Sequence, residues 1–166
     1  MKTARAFTLV EILIVVVILG ILAVTVLAMA SGSTLSAKES ALATDLQLLR
    51  NFILIYKAQH LEVAPGYPGG LTSTPTEQVF LDQATLSSTN AGATAAIGTT
   101  GYERGPYMQM IPANPLNNNK RTIKVVTGTT FPVPDNTTGW VYLPELLQIK
   151  ANSTGTDDSG KDYYDY

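Results

Sequence analysis

The chain of 166 residues has room for one domain and not two, and its formal net charge of −2 excludes the basic balance of a generic nucleic-acid binder. Cysteine is absent, which removes disulfides, thiolate metal sites and a cysteine nucleophile together and leaves the redox compartment open. The single histidine, His60, rules out a multi-histidine metal site and is the one base available to a Ser-His-Asp triad, so an enzyme is disfavoured.

The first six residues, Met1-Lys2-Thr3-Ala4-Arg5-Ala6, are short and basic. Behind them runs Phe7-Thr8-Leu9-Val10-Glu11, then a stretch from Ile12 to Ala37 without one charged side chain. As a helix, residues 12–37 would measure about 39 Å at about 1.5 Å per residue, long enough to cross a bilayer. Lys2 and Arg5 on the N-terminal side predict a cytoplasmic N-terminus and an outward-facing remainder. A secretory signal peptide would have a shorter apolar core and a better small-residue cleavage site than Ala28-Met29-Ala30. A plain membrane anchor explains the length but not Glu11, since a carboxylate in the apolar run costs about 2.5 to 3.5 kcal/mol on insertion scales.

Arg5-Ala6-Phe7-Thr8-Leu9-Val10-Glu11-Ile12-Leu13 resembles the class III leader junction of type IV pilins and type II secretion pseudopilins. The resemblance implies that a prepilin peptidase cuts between Ala6 and Phe7 and N-methylates the new terminus, leaving the apolar helix on the mature protein. It also implies that Glu11 pairs with the terminal amine of a neighbouring subunit, fixing axial register in a homopolymer. A buried charge is tolerable when so paired. The family has glycine before the cut where this chain has Ala6, the smallest possible change. The resemblance is specific over residues 5–29 and loose beyond them.

Further along, Ala30-Ser31-Gly32-Ser33-Thr34 interrupts the apolar run with weak helix formers, and a local softening at Ser31–Ser33 competes with a continuous helix. Beyond it Leu35, Leu42, Leu46, Leu49, Ile53 and Tyr56 recur at helical spacing, with Leu48, Phe52 and Ile55 broadening the stripe. The stripe predicts packing on a sheet. One helix over residues 7–60 would be about 81 Å long, so its first half must be covered by lipid or by other subunits. Pro65-Gly66-Tyr67-Pro68-Gly69-Gly70 predicts the stop.

Thr74-Pro75-Thr76-Glu77 combines capping-box spacing with proline at the first helical position and predicts a short helix over 75–87 that buries Val79, Phe80 and Leu86. Residues 88–101 read as a Thr/Ala/Gly loop. Gly105-Pro106-Tyr107 and Ile111-Pro112-Ala113-Asn114-Pro115 read as extended, and this pattern looks like the loops of pseudopilin heads. Strands are predicted at 122–127, 138–143 and 146–151, with Trp140 in the core.

The expected fold is therefore α+β and pilin-like: a long N-terminal helix on a small antiparallel sheet of about three strands, with one short extra helix. The expected divisions are a leader at 1–6, an apolar transmembrane and assembly helix at 7–34 and a head at 35–166. Lys120, Arg121 and Lys124 form the one basic cluster and read as a solvated strand face, with DNA phosphate contact as the lesser alternative. The acidic tail, with Asp157, Asp158 and Asp162 as candidate Ca²⁺ ligands, resembles in composition the calcium-bearing end of major pseudopilins; a solvated tail is the simpler alternative.

The reading these features favour is a structural one: a pseudopilin, most like the major subunit of a type II secretion pseudopilus, held in the bacterial inner membrane with its head in the periplasm. Its partners would be prepilin peptidase, copies of itself, other pseudopilins and the inner-membrane assembly platform. The alternatives are a type IV pilus pilin or minor pilin, and a monomeric membrane-tethered binding module.

Overall fold

In the computed structural model, residues 8–69 and 73–166 are described, and the side chains of residues 25–33 are not. Helix α1 spans Leu9–Gln59. With no proline before Pro65, nothing removes a backbone donor from its interior, and the backbone stays helical through residues 31–33, so the softening considered there does not appear. The chain divides into two compact units, one ending at Lys38 and the other Glu39–Tyr166.

In the second unit the predicted stripe is real but narrower than expected. Leu42, Leu46, Leu49, Phe52, Ile53 and Tyr56 are buried, each 3% exposed or less, while Leu48 and Ile55 are 46% and 49% exposed and face outward. Leu35, in the first unit, is 38% exposed. α1 ends before the Pro-Gly run. Leu61 and Glu62 take left-handed backbone angles, the Glu62 amide donates to the Lys57 carbonyl at 3.1 Å, and the Lys57 ammonium meets the Glu62 carboxylate at 3.1 Å.

Helix α2 covers Glu77–Thr85, two residues inside the expected start. Its cap is Thr76, whose hydroxyl accepts from the Val79 amide at 3.3 Å. Thr74 loses that role because Glu77 points away from the cap: its carboxylate accepts the Ile123 amide at 2.8 Å and ties α2 to the sheet. Of the three apolar residues expected to be buried, Phe80 is fully so, and Val79 and Leu86 are half-buried. The interior position the hydrophobic pattern could not supply is Gln83, which is 0% exposed. Its carbonyl accepts from the Gly66 amide and its amide donates to Tyr67 and Gly92 carbonyls, so a polar side chain joins α2 to both neighbouring turns.

Within the segment read as a loop lies a two-residue ladder, β1 (Ser87–Ser88) antiparallel to β2 (Thr94–Ala95). Strands this short carry no readable alternation. The main sheet has the order β3 (Ile123–Val125), β4 (Trp140–Leu143), β5 (Gln148–Ala151). β4 and β5 are antiparallel, joined by a 3₁₀ turn at Pro144–Leu146 and left-handed Leu147. β3 and β4 are parallel, with Ile123 opposite Trp140 and Val125 opposite Tyr142, so the expected all-antiparallel meander is corrected to a mixed sheet within the same α+β arrangement. The cause is the connection over residues 126–139, which is long enough for the crossover a parallel pair needs. All four residues of central β4 are buried.

Phe52 meets Phe80 edge-on at 5.3 Å, and Phe80 meets Tyr142 at 4.9 Å. Trp140 is in the core as expected, its indole donating to the Pro112 carbonyl at 3.0 Å. Three buried asparagines bind the loops at the sheet end. Asn114 donates to the Gly139 carbonyl and Ser153 hydroxyl, Asn117 to the Thr138 and Asn152 carbonyls, and Asn152 to the Asp135 carboxylate and Thr138 hydroxyl. Gly139 is required here, since a Cβ would lie 2.2 Å from the Lys120 carbonyl oxygen.

The contrast between the two sides of α1 is testable. Leu46→Ala should cost about 2 to 5 kcal/mol through the cavity it leaves, while Leu48→Ala should stay within about 0.5 kcal/mol. Chemical unfolding followed by the fluorescence of Trp140, the one tryptophan, measures both; equal losses would mean that the buried side of α1 is misassigned.

Candidate functional site

The chemistry-bearing end of the molecule is the start of α1. Thr8 is its cap: the Thr8 amide and hydroxyl both donate to the same Glu11 carboxylate oxygen at 2.9 Å, and the Glu11 amide donates back to the Thr8 hydroxyl at 3.3 Å. This reciprocal capping box satisfies orphan donors of the first turn. A carboxylate one turn into the helix also complements the positive end of the helix dipole. Sequence reasoning missed Thr8, although Thr-x-x-Glu before an apolar run is the signature of such a box. Glu11 is thus partnered within its own chain.

Ala6 and Phe7 lie outside the described residues. Beyond Glu11 the run is apolar on every side: Ile14, Val17, Ile18 and Ile21 are all about half exposed or more, as are their apolar neighbours from Leu9 to Val24. Leu9, Ile12, Leu13 and Val16 line a depression beside Thr8. Among the described residues no helix is long and apolar enough to cross a membrane. The unbroken run of described apolar side chains from Leu9 reaches Val24, short of the about 20 residues a bilayer asks for; the expected span over 12–37 includes residues 25–33, whose side chains lie outside the described ones.

Residues 1–27 match the family described as the prokaryotic N-terminal methylation motif. The chain carries a prepilin leader. No curated protein and no solved structure matches it. The resemblance to type IV pilins and pseudopilins therefore holds at the N-terminus, where the motif and the capping box coincide. Together with the long N-terminal helix and the small sheet, the molecule is type IV pilin-like.

The other candidate residues of this pilin-like chain are already engaged. The Lys120 ammonium donates to the Asn136 carbonyl, Arg121 to the Ile111 carbonyl, and Lys124 pairs with Asp135 at 3.0 Å. The three cations are held by three separate partners. Nor does the structure assemble Asp157, Asp158 and Asp162 into a ligand set: among the described residues no group of three or more acidic or histidine side chains is placed to hold a metal ion. One Asp157 oxygen accepts from the Ser159 amide, the Ser159 hydroxyl and the Lys161 amide, and the other from the Tyr166 hydroxyl at 2.7 Å. These donors, the Ser159 hydroxyl foremost, hold the Asp157 carboxyl well below its ordinary range.

The tail is latched to the head by aromatic residues that the acidic composition concealed. Tyr163 donates to Glu39 and Tyr164 to the Pro132 carbonyl, while Arg50 donates to the Tyr166 main-chain oxygen at 2.7 Å. Lys150 pairs with Asp165 at 2.8 Å, its ammonium 4.7 Å from the Tyr164 ring centre and 5.2 Å from that of Phe131.

His60 is structural. It is 1% exposed and stacks on Tyr56 at 3.7 Å. Its ring nitrogens contact the Tyr56 carbonyl at 2.8 Å and the Ser88 hydroxyl at 2.9 Å, joining the end of α1 to β1. Burial pushes its pKa below the ordinary value; the hydrogen bond to Tyr56 opposes this and the Arg104 charge adds to it.

Two outcomes follow. The folded state favours neutral His60, so its contribution to stability is complete above the unfolded value of about 6.5 and is lost as pH falls through the lower folded value. His60→Gln should flatten the stability-against-pH curve in that window, read by thermal melts at stepped pH; an unchanged slope would remove His60 as its source. Asp157→Ala should speed amide exchange at Ser159 and Lys161, whose donors it orphans, while leaving β4 protected. Unaltered exchange at both would show that Asp157 does not hold the loop.

Proposed function

We propose that the chain is the structural subunit of a type IV pilin-like filament, most like the major pseudopilin of a type II secretion pseudopilus. In this reading it waits in the bacterial inner membrane with its N-terminus cytoplasmic and its head periplasmic. Prepilin peptidase cuts between Ala6 and Phe7 and methylates the new amine. Copies then polymerise on an inner-membrane platform, with other pseudopilins, to support protein secretion. The observation that carries the reading is the methylation motif over residues 1–27 with a lone carboxylate, Glu11, one turn into a helical run, Leu9–Val24, that is otherwise free of charge. The charge-free sequence from Ile12 to Ala37 supports membrane storage. The cysteine-free head and Asp-rich tail favour a pseudopilin over a pilus pilin, whose head commonly carries a C-terminal disulfide.

The capping box sharpens the role of Glu11. Before cleavage its carboxylate is held by Thr8, which lowers the cost of carrying it in an apolar run. In the filament it faces a second demand, the methylated amine of Phe7 on the neighbouring copy. Without a counter-charge that amine costs about 3 to 5 kcal/mol in an apolar core, and the cost recurs at every added subunit.

Glutamine can serve in a capping box as glutamate does, so Glu11→Gln removes the charge and keeps the cap, whereas Thr8→Ala removes the cap and keeps the charge. The expected outcome is normal membrane fractionation for both, loss of shear-released fibres for Glu11→Gln, and fibres retained for Thr8→Ala. Intact mass of the assembled protein should give a chain starting at methylated Phe7. Wild-type fibre yield from Glu11→Gln, or Met1 retained in fibres, would defeat the proposal.

A further inference from the structure

The end of α1 is fastened to a surface segment through one titratable side chain. His60 follows the last residue of α1 and is 1% exposed. Its Nδ1 lies 2.8 Å from the Tyr56 carbonyl oxygen, which can only accept, so Nδ1 carries the proton of the neutral ring. Nε2 then holds a lone pair and accepts the Ser88 hydroxyl at 2.9 Å. Ser88 is wholly buried and closes the base of segment 87–104. Its amide donates to the Arg104 carbonyl at 2.8 Å, and its carbonyl accepts the Arg104 amide at 3.0 Å. The β1–β2 ladder lies within that segment, and the Gln83 amide holds its turn at the Gly92 carbonyl. One neutral imidazole therefore joins the helix end to the point where the segment closes on itself.

We propose that His60 is a proton-operated clasp, whose neutral ring fastens segment 87–104 to the end of α1 and whose protonation releases that segment while the β3–β5 sheet stays folded. A second ring proton, on Nε2, would face the proton of the Ser88 hydroxyl. That hydroxyl must then turn away from the acceptor it has, in a place closed to water, and a buried donor left without a partner is costly. The groups facing the ring offer the new cation no counter-charge. Tyr56 of α1 stacks on it at 3.7 Å and nearly parallel, Tyr107 meets it edge-on at 6.2 Å, and the charged neighbour is Arg104, itself a cation. Burial pushes both phenols up, so neither supplies a negative charge. Lys57 and Glu62, near in sequence, are paired with each other. The bond to the Tyr56 carbonyl survives protonation, because Nδ1 donates in either state, so the strain falls on Ser88 and its closure with Arg104. The clasp uses residues of the head alone and stands apart from the filament reading.

His60 is the one histidine, so its ring is read without ambiguity in the full-length chain. Nitrogen NMR of the ring should show the Nδ1–H tautomer at neutral pH. Amide exchange, corrected for the rates of unstructured peptides, should accelerate at Ser88, Thr89, Gly92 and Arg104, whose amides are bonded within the segment. The acceleration should begin as pH falls below about 6.5, the value of the released ring. It should grow by up to about tenfold for each pH unit and level off below the lower value of the clasped ring. The amides of Val126 and Trp140, bonded across β3 and β4, should not follow. His60→Gln, which keeps a donor and an acceptor but does not titrate, should abolish the acceleration. Arg104→Gln removes the opposing charge and should shrink it. An Nε2–H tautomer, an equal acceleration in His60→Gln, or sheet amides opening in step with the segment would each overturn the clasp. Where His60→Gln does not fold, Arg104→Gln decides, and an undiminished acceleration there overturns the clasp as well.

Discussion

A helix that is apolar around its whole circumference cannot present the run Leu9–Val24 to water, and most of this molecule follows from that constraint. Lipid or other protein must cover the run. Covering it by protein places any charge within it in a low dielectric, where only a paired charge is tolerable. Glu11 is the one charge there, and Thr8 of the same chain holds it through one of its two carboxylate oxygens. In the proposed filament the carboxylate would also meet a neighbouring amine.

The same helix meets the opposite problem in the head, where one side must join a core and the other must not bind at random. Leu42, Leu46, Leu49, Ile53 and Tyr56 commit one side to Phe80, Trp140 and Tyr142. The remaining side is moderated by alanine, threonine, asparagine and glutamine between Leu48, Leu54 and Ile55.

Without cysteine, the head holds its loops by polar satisfaction. Asn114, Asn117 and Asn152 are buried and bonded to main-chain and side-chain partners from three separate segments. Such networks give position as well as stability, since each donor has few acceptors within reach and a misplaced loop leaves a buried amide unpaired. The tail is secured differently. Tyr163 joins the core cluster and Tyr166 packs against it, while the hydroxyls of Tyr163, Tyr164 and Tyr166 find Glu39, the Pro132 carbonyl and Asp157, so a segment acidic in composition behaves as an aromatic latch.

The sequence by itself determined the basic leader, the apolar helix and its carboxylate, the buried stripe from Leu42 to Tyr56 and the approximate places of α2 and the three main strands. Each is a local or periodic property of consecutive residues, and the methylation motif is legible for the same reason. Only the tertiary structure decided which way β3 runs beside β4, since strand direction depends on the path of residues 126–139 and on no pattern inside either strand. It also moved the α2 cap from Thr74 to Thr76, because the competing partner of Glu77 is the distant Ile123 amide. It turned Leu48 and Ile55 outward, and it set the Asp157 oxygens against donors from Ser159, Lys161 and Tyr166. In each case the deciding contact was made by residues whose proximity is created by folding, which no spacing along the chain records.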